Sequence, residues 1–322
     1  MSKVLVTGAT GFIGQALCAS LIAQGHQVNA AVRSLSANLP LGVRLFSLAA
    51  LDGRTNCKPA LMGVDVVVHL AARVHVMRER AADPLLAFRK TNVEGSLNLA
   101  RQAARAGVKR FIFLSTLKVN GEYTLPNLPF TADDKPNPEG AYAQSKYEAE
   151  VGLHQIALET GMELVVIRPP LVYGPAVKAN FHTLLKAIHQ SWPLPLGRIN
   201  NCRSLVALDN LLDLIMLCLQ HPSAANHVFL VSDGENVSTT ELIKRLAAAM
   251  GKQPRLLPVP MRWLQGLLSV LGKAGLAQRL CGNLQVDVEK TCALLGWSPK
   301  ISLDEALLQT ARHYVDNRLK RL

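Results

Sequence analysis

Val4-Leu5-Val6 runs directly into Thr7-Gly8-Ala9-Thr10-Gly11-Phe12-Ile13-Gly14, and this stretch decides the fold. The apolar run reads as a buried strand, and the pattern from residue 15 to 24 reads as a helix. A strand that turns through three glycines into a helix makes a cradle for a diphosphate. Gly8 permits the tight turn, Gly11 lets backbone approach the anion, and Gly14 lets helix pack on strand. Free amides at the helix start, with the positive end of its dipole, face the phosphates. The spacing is G-x-x-G-x-x-G rather than G-x-G-x-x-G. An unrelated βα turn can share such a triplet, but the strand before it and the helix after it favour a nucleotide site.

Working outward, strand patterns recur at 28–32, 43–48, 64–70, 111–114 and 164–168, the last stopped by Pro169-Pro170. Helical patterns lie between them, most clearly at 84–106 and 142–160. Strands separated by helix-length segments predict an α/β fold with a doubly wound parallel sheet. After Gly174-Pro175 the rhythm changes. A helix is expected over 181–190, a loop over 192–201, a short strand at 204–208 and an apolar helix at 211–220. A strand at 227–232 is expected to rejoin the main sheet, and mainly helical chain follows from Ser238 past a proline-rich linker at 254–260. The predicted division is a nucleotide-binding domain at 1–173, with 204–233 returning to it. A smaller, mainly helical C-terminal substrate lobe comprises 174–203 and 234–322. Residues 263–280 are apolar around much of their circumference, with Arg262, Lys273 and Arg279 among them. Packing against the sheet domain is the more common use of such a segment, and contact with a membrane surface the alternative.

The chain has 322 residues, 49% apolar and 18% charged, enough for a sizeable core. No run of 18 apolar residues predicts a spanning helix, and Met1-Ser2-Lys3 leads straight into the first strand rather than into a signal peptide. Six scattered cysteines, the closest pair eleven apart, predict reduced thiols in a cytoplasmic protein and no metal site. The net charge of +12 is spread along the chain, with only 5% aromatic residues, so nucleic acid is not expected as a partner. A solvated basic surface, an anionic small substrate, or a membrane surface near the basic tail at 318–321 would each account for it.

Tyr142-Ala143-Gln144-Ser145-Lys146 puts a phenol and an ammonium four residues apart, on one face of a helix. A lysine cation beside a tyrosine favours phenolate, and a tyrosine so tuned can move the proton of an alcohol. Alone the pair is common. Here it follows Leu114-Ser115-Thr116-Leu117-Lys118-Val119-Asn120-Gly121, whose hydroxyls stand at a strand end. It also follows Asp65-Val66-Val67-Val68-His69-Leu70-Ala71-Ala72, which ends in small residues, and Thr91-Asn92-Val93-Glu94-Gly95. Arg168-Pro169-Pro170-Leu171-Val172-Tyr173-Gly174-Pro175 ends the sixth strand. His69 is read as a structural strand-end residue.

Together these motifs resemble the extended short-chain dehydrogenase/reductases, in the nucleotide-sugar epimerase/dehydratase branch. The resemblance covers essentially the whole chain and implies a Rossmann-like sheet domain. It makes Tyr142 the acid/base, Lys146 its electrostatic partner and a ligand of the nicotinamide ribose, and Thr116 the hydroxyl that orients the substrate oxygen. Asn92 would order a proton-relay water. Gly8, Thr10, Gly11, Phe12, Ile13, Gly14, Leu70, Ala71, Ala72 and Pro169 would line the cofactor, with Tyr142 and Lys146. Asn180 and Arg203 would grip the substrate diphosphate, with Ser115, Lys118 and Arg279 as further substrate contacts. Many relatives dimerise through the helices matching 84–106 and 142–160, so a homodimer is expected.

Two departures bear on the reaction. The branch's 4,6-dehydratases carry Asp-Glu after the catalytic Thr, where this chain has Leu117-Lys118, so dehydration is not expected. NAD-binding members end the second strand on an acid that holds the ribose hydroxyl. This chain has Arg33 there, and Leu48-Ala49 where an Asp is usual after the third strand, which favours NADP(H) over NAD(H). A net reductase follows from that preference. Longer strings resemble bacterial surface-polysaccharide (O-antigen) enzymes that reduce UDP-4-keto-6-deoxy-N-acetylglucosamine to UDP-N-acetylquinovosamine. The alternatives are a UDP-hexose 4-epimerase with bound NAD and a catalytically silent nucleotide-binding protein.

Overall fold

The computed structural model describes residues 1–74, 83–270, 272 and 274–319. Lys273 and the tail residues 320–321 singled out in the sequence lie outside the described residues. The first half contains β1 (Lys3–Thr7), α1 (Phe12–Ala23), β2 (Gln27–Val32), β3 (Val43–Ser47), α2 (Lys58–Leu61) and β4 (Val66–His69). It continues with α3 (Pro84–Arg89), a π-helical turn (Lys90–Gly95), α4 (Ser96–Arg105), β5 (Arg110–Leu114), α5 (Gly140–Thr160), β6 (Glu163–Arg168) and β7 (Leu171–Tyr173). Then come α6 (Ala179–His189), β8 (Arg203–Ala207), α7 (Leu208–Cys218), β9 (His227–Leu230), β10 (Asn236–Val237) and α8 (Thr239–Ala249). The chain closes with α9 (Met261–Val270), α10 (Ala274–Cys281), α11 (Glu289–Leu295) and α12 (Leu303–Leu319).

Seven strands form one sheet in the order β3-β2-β1-β4-β5-β6-β9, each pair parallel. Covered on both faces, β1 reads as an unbroken apolar run, and its side chains sort by parity. Val4 and Val6 join the core beneath α1 and α7, with Leu17, Leu21, Leu211 and Ile215. Leu5 faces the other way, into a core with Leu99 of α4 and Leu153 and Ile156 of α5. The chain steps from β1 outward to β3, then back across to β4. The carboxyl ends of β1 and β4 therefore flank the crevice where ligands bind in such sheets.

Two elements depart from the sequence reading. The helix expected over 84–106 is interrupted by the π-helical turn at Lys90–Gly95. Gly95 lies so close to the chain before it that an added Cβ would sit 2.7 Å from the Leu51 carbonyl oxygen. Such a turn re-aims side chains within a helix, and here it turns Asn92 into the interior. The second is β8, in the 204–233 segment expected to return to the nucleotide-binding domain. It pairs instead with β7 and β10 in a separate three-stranded sheet, and the return is made by α7 and β9.

The C-terminal lobe has its own core. Tyr173 stacks on Phe181 with ring centroids 5.5 Å apart, among Leu185, Ile243, Leu246, Leu307 and Tyr314. Phe12, at the start of α1, packs against both this core and the sheet core, and so joins the glycine turn to the lobe. The helix expected over 263–280 is two helices, α9 and α10. No described helix is long and apolar enough to cross a membrane.

Candidate active site

The glycine turn is a surface built from backbone. Gly8 has φ +69°, and an added Cβ would lie 2.8 Å from the amide nitrogen of Ala71. A Cβ on Gly14 would overlap the Gly8 carbonyl oxygen. Gly11 donates its N–H to that same oxygen at 2.9 Å and caps α1 without a side chain. The first turn of α1 carries no acid, so its dipole end is not neutralised locally. Thr10 is exposed, Phe12 and Ile13 are half-buried, and Leu70, Ala71 and Ala72 leave the end of β4 half-buried beside Gly8. Pro169 is buried, and its carbonyl accepts from Leu117 N–H at 2.9 Å. This cradle fits a dinucleotide: small residues at the close approaches and an uncapped helix start.

A chain of hydrogen bonds fixes the cradle's depth, and its proton order follows from valence. Ser96 Oγ donates to the Asn92 carbonyl at 2.6 Å, so it must accept from His69 Nε2 at 2.8 Å. His69 Nδ1 then accepts from Thr7 Oγ1 at 2.6 Å, and Thr7 Oγ1 accepts from Ala71 N–H at 3.2 Å. His69 is neutral in this order, and burial holds its pKa down to about 3. The ring clamps β1, β4 and the π-helical turn together, as its structural reading expected.

Asn92 spends both amide hydrogens inside the protein. Its Oδ1 accepts from Arg73 N–H at 2.7 Å, while Nδ2 donates to Arg73 O at 3.0 Å and Ser145 Oγ at 2.9 Å. Ser145 in turn donates to the Tyr142 carbonyl at 2.8 Å. Asn92 thus ties the exit of β4 to the turn of α5 that carries Tyr142 and Lys146.

Burial, more than mutual attraction, sets the acidities of that pair. The Tyr142 phenol packs edge-on against Phe88 at 6.0 Å and is pushed up to about 12. The Lys146 ammonium lies 3.8 Å from the Phe113 ring centroid and is brought down to about 7, with Glu150 acting in the opposite direction. In the protein alone, burial thus acts against the lowering of the phenol's pKa that the sequence argument expects from the ammonium.

Glu150, missed in the sequence, anchors this face of α5. It accepts from Arg168 Nε at 3.1 Å and Nη2 at 2.5 Å, and Arg168 Nη1 donates to Asn120 Oδ1 at 3.0 Å. Ser115 also donates to Glu150. The structure thereby separates the two hydroxyls of the motif. Ser115, expected as a substrate contact, is buried and spends its hydroxyl on Glu150, whereas Thr116 is half-exposed and accepts only weakly from Lys118 N–H at 3.4 Å. The signal for Glu150 was available: it stands four residues beyond Lys146, on the Tyr142–Lys146 face.

On the substrate side, Lys118 forms an ion pair with Glu122. Arg203 donates to the Gly282 carbonyl at 3.0 Å; burial lowers its pKa and Glu122 raises it. Glu122 therefore pairs with Lys118 and adds a favourable charge near Arg203. Asn180 is exposed in the first turn of α6 and Arg279 exposed on α10. Arg33 is exposed at the end of β2, and Leu117 is buried to 1% exposure. A cleft of about 670 Å³ between α6 and α12, lined by Gly174, Lys178, His182, His189 and Tyr314 among others, includes none of the expected catalytic residues.

Residues 4–232 match the model of the NAD dependent epimerase/dehydratase family. The chain belongs to that family. It is 47% identical over 316 residues to a UDP-glucose 4-epimerase of Vibrio cholerae, covering 97% of this chain and 95% of that one. Among solved structures it resembles a UDP-glucuronic acid 4-epimerase from Bacillus cereus in complex with NAD. The TM-score there is 0.78 at 22% identity, over 98% of this chain and 99% of that one. It resembles equally a dTDP-glucose 4,6-dehydratase from Streptomyces venezuelae with NAD bound, TM-score 0.78 at 24% identity, over 99% and 98%. One fold thus carries different reactions, and the likeness to these structures shows the fold alone. The preference for NADP(H) drawn from Arg33 finds no support here: the family is described by NAD, and both solved structures hold NAD.

Proposed function

We propose that the chain is a UDP-hexose 4-epimerase that works on resident NAD without net redox change. The observation that carries this reading is the 47% identity, end to end, with the Vibrio cholerae UDP-glucose 4-epimerase. It displaces the 4-ketoreductase reading, which rested on Arg33 and on shorter strings. When bound, NAD supplies the acceptor and donor of hydride, and its oxidised ring adds a positive charge that favours phenolate. Gly8, Gly11 and Gly14 hold its diphosphate, with Leu70, Ala71, Ala72 and Pro169 against the remainder. Lys146 holds the ribose and, once charged, favours phenolate at Tyr142.

Tyr142 takes the proton of the sugar 4-hydroxyl and returns it to the same oxygen when C4 is re-reduced from its opposite face. Thr116, whose hydroxyl proton is uncommitted, donates to that oxygen. Lys118, Asn180, Arg203 and Arg279 bind the UDP diphosphate, which releases Lys118 from Glu122. The buried Leu117 supports the exclusion of dehydration, since the position that carries an acid in dehydratases holds an apolar side chain inside the core. The division into a sheet domain and a substrate lobe serves this chemistry, with the nucleotide moored on one part and the UDP gripped by the other.

Incubation of the purified protein with UDP-galactose and no added nucleotide tests the reading. The expected product is UDP-glucose, approached from either sugar to one equilibrium ratio. No interconversion, together with NADPH-dependent reduction of UDP-4-keto-6-deoxy-N-acetylglucosamine, would replace it with the ketoreductase.

A further inference from the structure

α9 turns its apolar residues outward. Trp263, Leu267 and Val270 recur at i, i+4 and i+7, one stripe of the helix, and are 76%, 58% and 87% exposed. Leu264 is the one buried residue of α9. On α10, packed beside it, Leu276 is 42% exposed. A helix of a water-soluble lobe normally buries such a stripe, and a contiguous exposed one marks a contact surface.

The charge around the stripe says what would cover it. Residues 246–286 contain five Lys or Arg and no Asp or Glu. Arg262 adjoins Trp263 on the exposed side of α9, and Arg255 is exposed shortly before that helix. Two copies meeting through this face by a two-fold axis would set the same cations against each other without an acid in either segment. An anionic lipid surface meets both requirements, with apolar side chains and the indole entering the headgroup boundary and the cations meeting phosphates. We propose that α9 and α10 dock the protein on an anionic phospholipid bilayer.

The placement reaches the substrate side. α10 runs directly into Gly282, whose carbonyl accepts from Arg203 Nη1 at 3.0 Å and from Asn201 Nδ2 at 3.0 Å. A bilayer against α9 and α10 therefore lies next to the segment that positions the Arg203 guanidinium, and the substrate lobe faces the lipid.

Co-sedimentation of the full chain with vesicles of phosphatidylcholine alone, or mixed with phosphatidylglycerol, tests the proposal. Binding to the mixed vesicles is expected at low salt, weaker at high salt, and absent from pure phosphatidylcholine. The double substitution Trp263→Ser/Leu267→Ser, on exposed residues outside the site, should weaken it about tenfold or more while leaving turnover of the soluble UDP-sugar unchanged. In the unaltered protein, brominated lipid should quench tryptophan emission, and Trp263→Phe should remove that quenching. Failure to bind the mixed vesicles, or equal binding by the double variant, would overturn the proposal. A concentration-dependent dimer dissolved by the same double substitution would overturn it too, assigning the face to a second copy. None of these outcomes bears on the epimerase reading, which is measured in solution.

Discussion

In the proposed reading, the two sides of the site recognise phosphate by different means. At the glycine turn the recognising surface is backbone: Gly8, Gly11 and Gly14 fall within one turn, and each is glycine because something lies where a side chain would go. On the substrate side the surface is made of side chains from separate elements. Lys118 follows β5, Asn180 opens α6, Arg203 opens β8 and Arg279 ends α10; Glu122 holds Lys118, and the Gly282 carbonyl holds Arg203. The first surface is rigid and intolerant of any added atom. The second is assembled from groups with other partners, and it can be altered one group at a time.

That contrast can be broken by mutation, beginning with the largest effect. Gly14→Val should eliminate retained nucleotide and lower stability by about 3 kcal/mol, because backbone rather than a movable side chain stands in the way. A urea titration alongside a nucleotide assay reads both, and a stable, nucleotide-loaded variant would refute the backbone account. Tyr142→Phe should reduce kcat by about 10²–10⁴ while nucleotide is retained. Unchanged turnover would remove the phenol from the chemistry. Arg203→Ala should raise KM for the UDP-sugar about tenfold or more, with nucleotide content and fold intact. Lost nucleotide in that variant would show that the two sides are not separable.

The smallest effect sharpens the picture of the cradle's support. The folded pKa of His69, about 3, lies below its unfolded value of 6.5. The unfolded chain therefore binds the proton first, and the stability present above pH 6.5 is lost as pH falls toward 3. Between pH 6.5 and 5.5 the expected loss is about 1 kcal/mol. His69→Gln should flatten that slope in urea titrations at successive pH values. An unaltered slope would mean that the ring is not held neutral by its network.

The same contrast explains what could be read from the chain. Val4 to Gly14 was legible because strand, turn and helix start are contiguous and the constraint falls on residue type. Tyr142 and Lys146 were legible because helical spacing alone puts them on one face. The π-helical turn was not, since Lys90–Gly95 keeps an ordinary helical pattern and the chain that packs closely on it, at Leu51, lies some forty residues away. Nor was β8, whose apolar pattern suits either sheet. The burial of Tyr142 was not legible for a related reason: spacing reports which charge is near, and burial depends on everything else that packs around it. Arg33 illustrates the limit of a single departure, because an exposed strand-end guanidinium does not by itself select a phosphate.

The central claim, catalysis on a resident cofactor that is never consumed, has a direct measurement. Purified protein is denatured, the released nucleotide identified, and turnover of UDP-galactose by the intact protein measured without added cofactor. The expected result is NAD stoichiometric with the chain and sustained interconversion. No bound nucleotide, with turnover strictly dependent on added NADPH and matched by its consumption, would contradict the account.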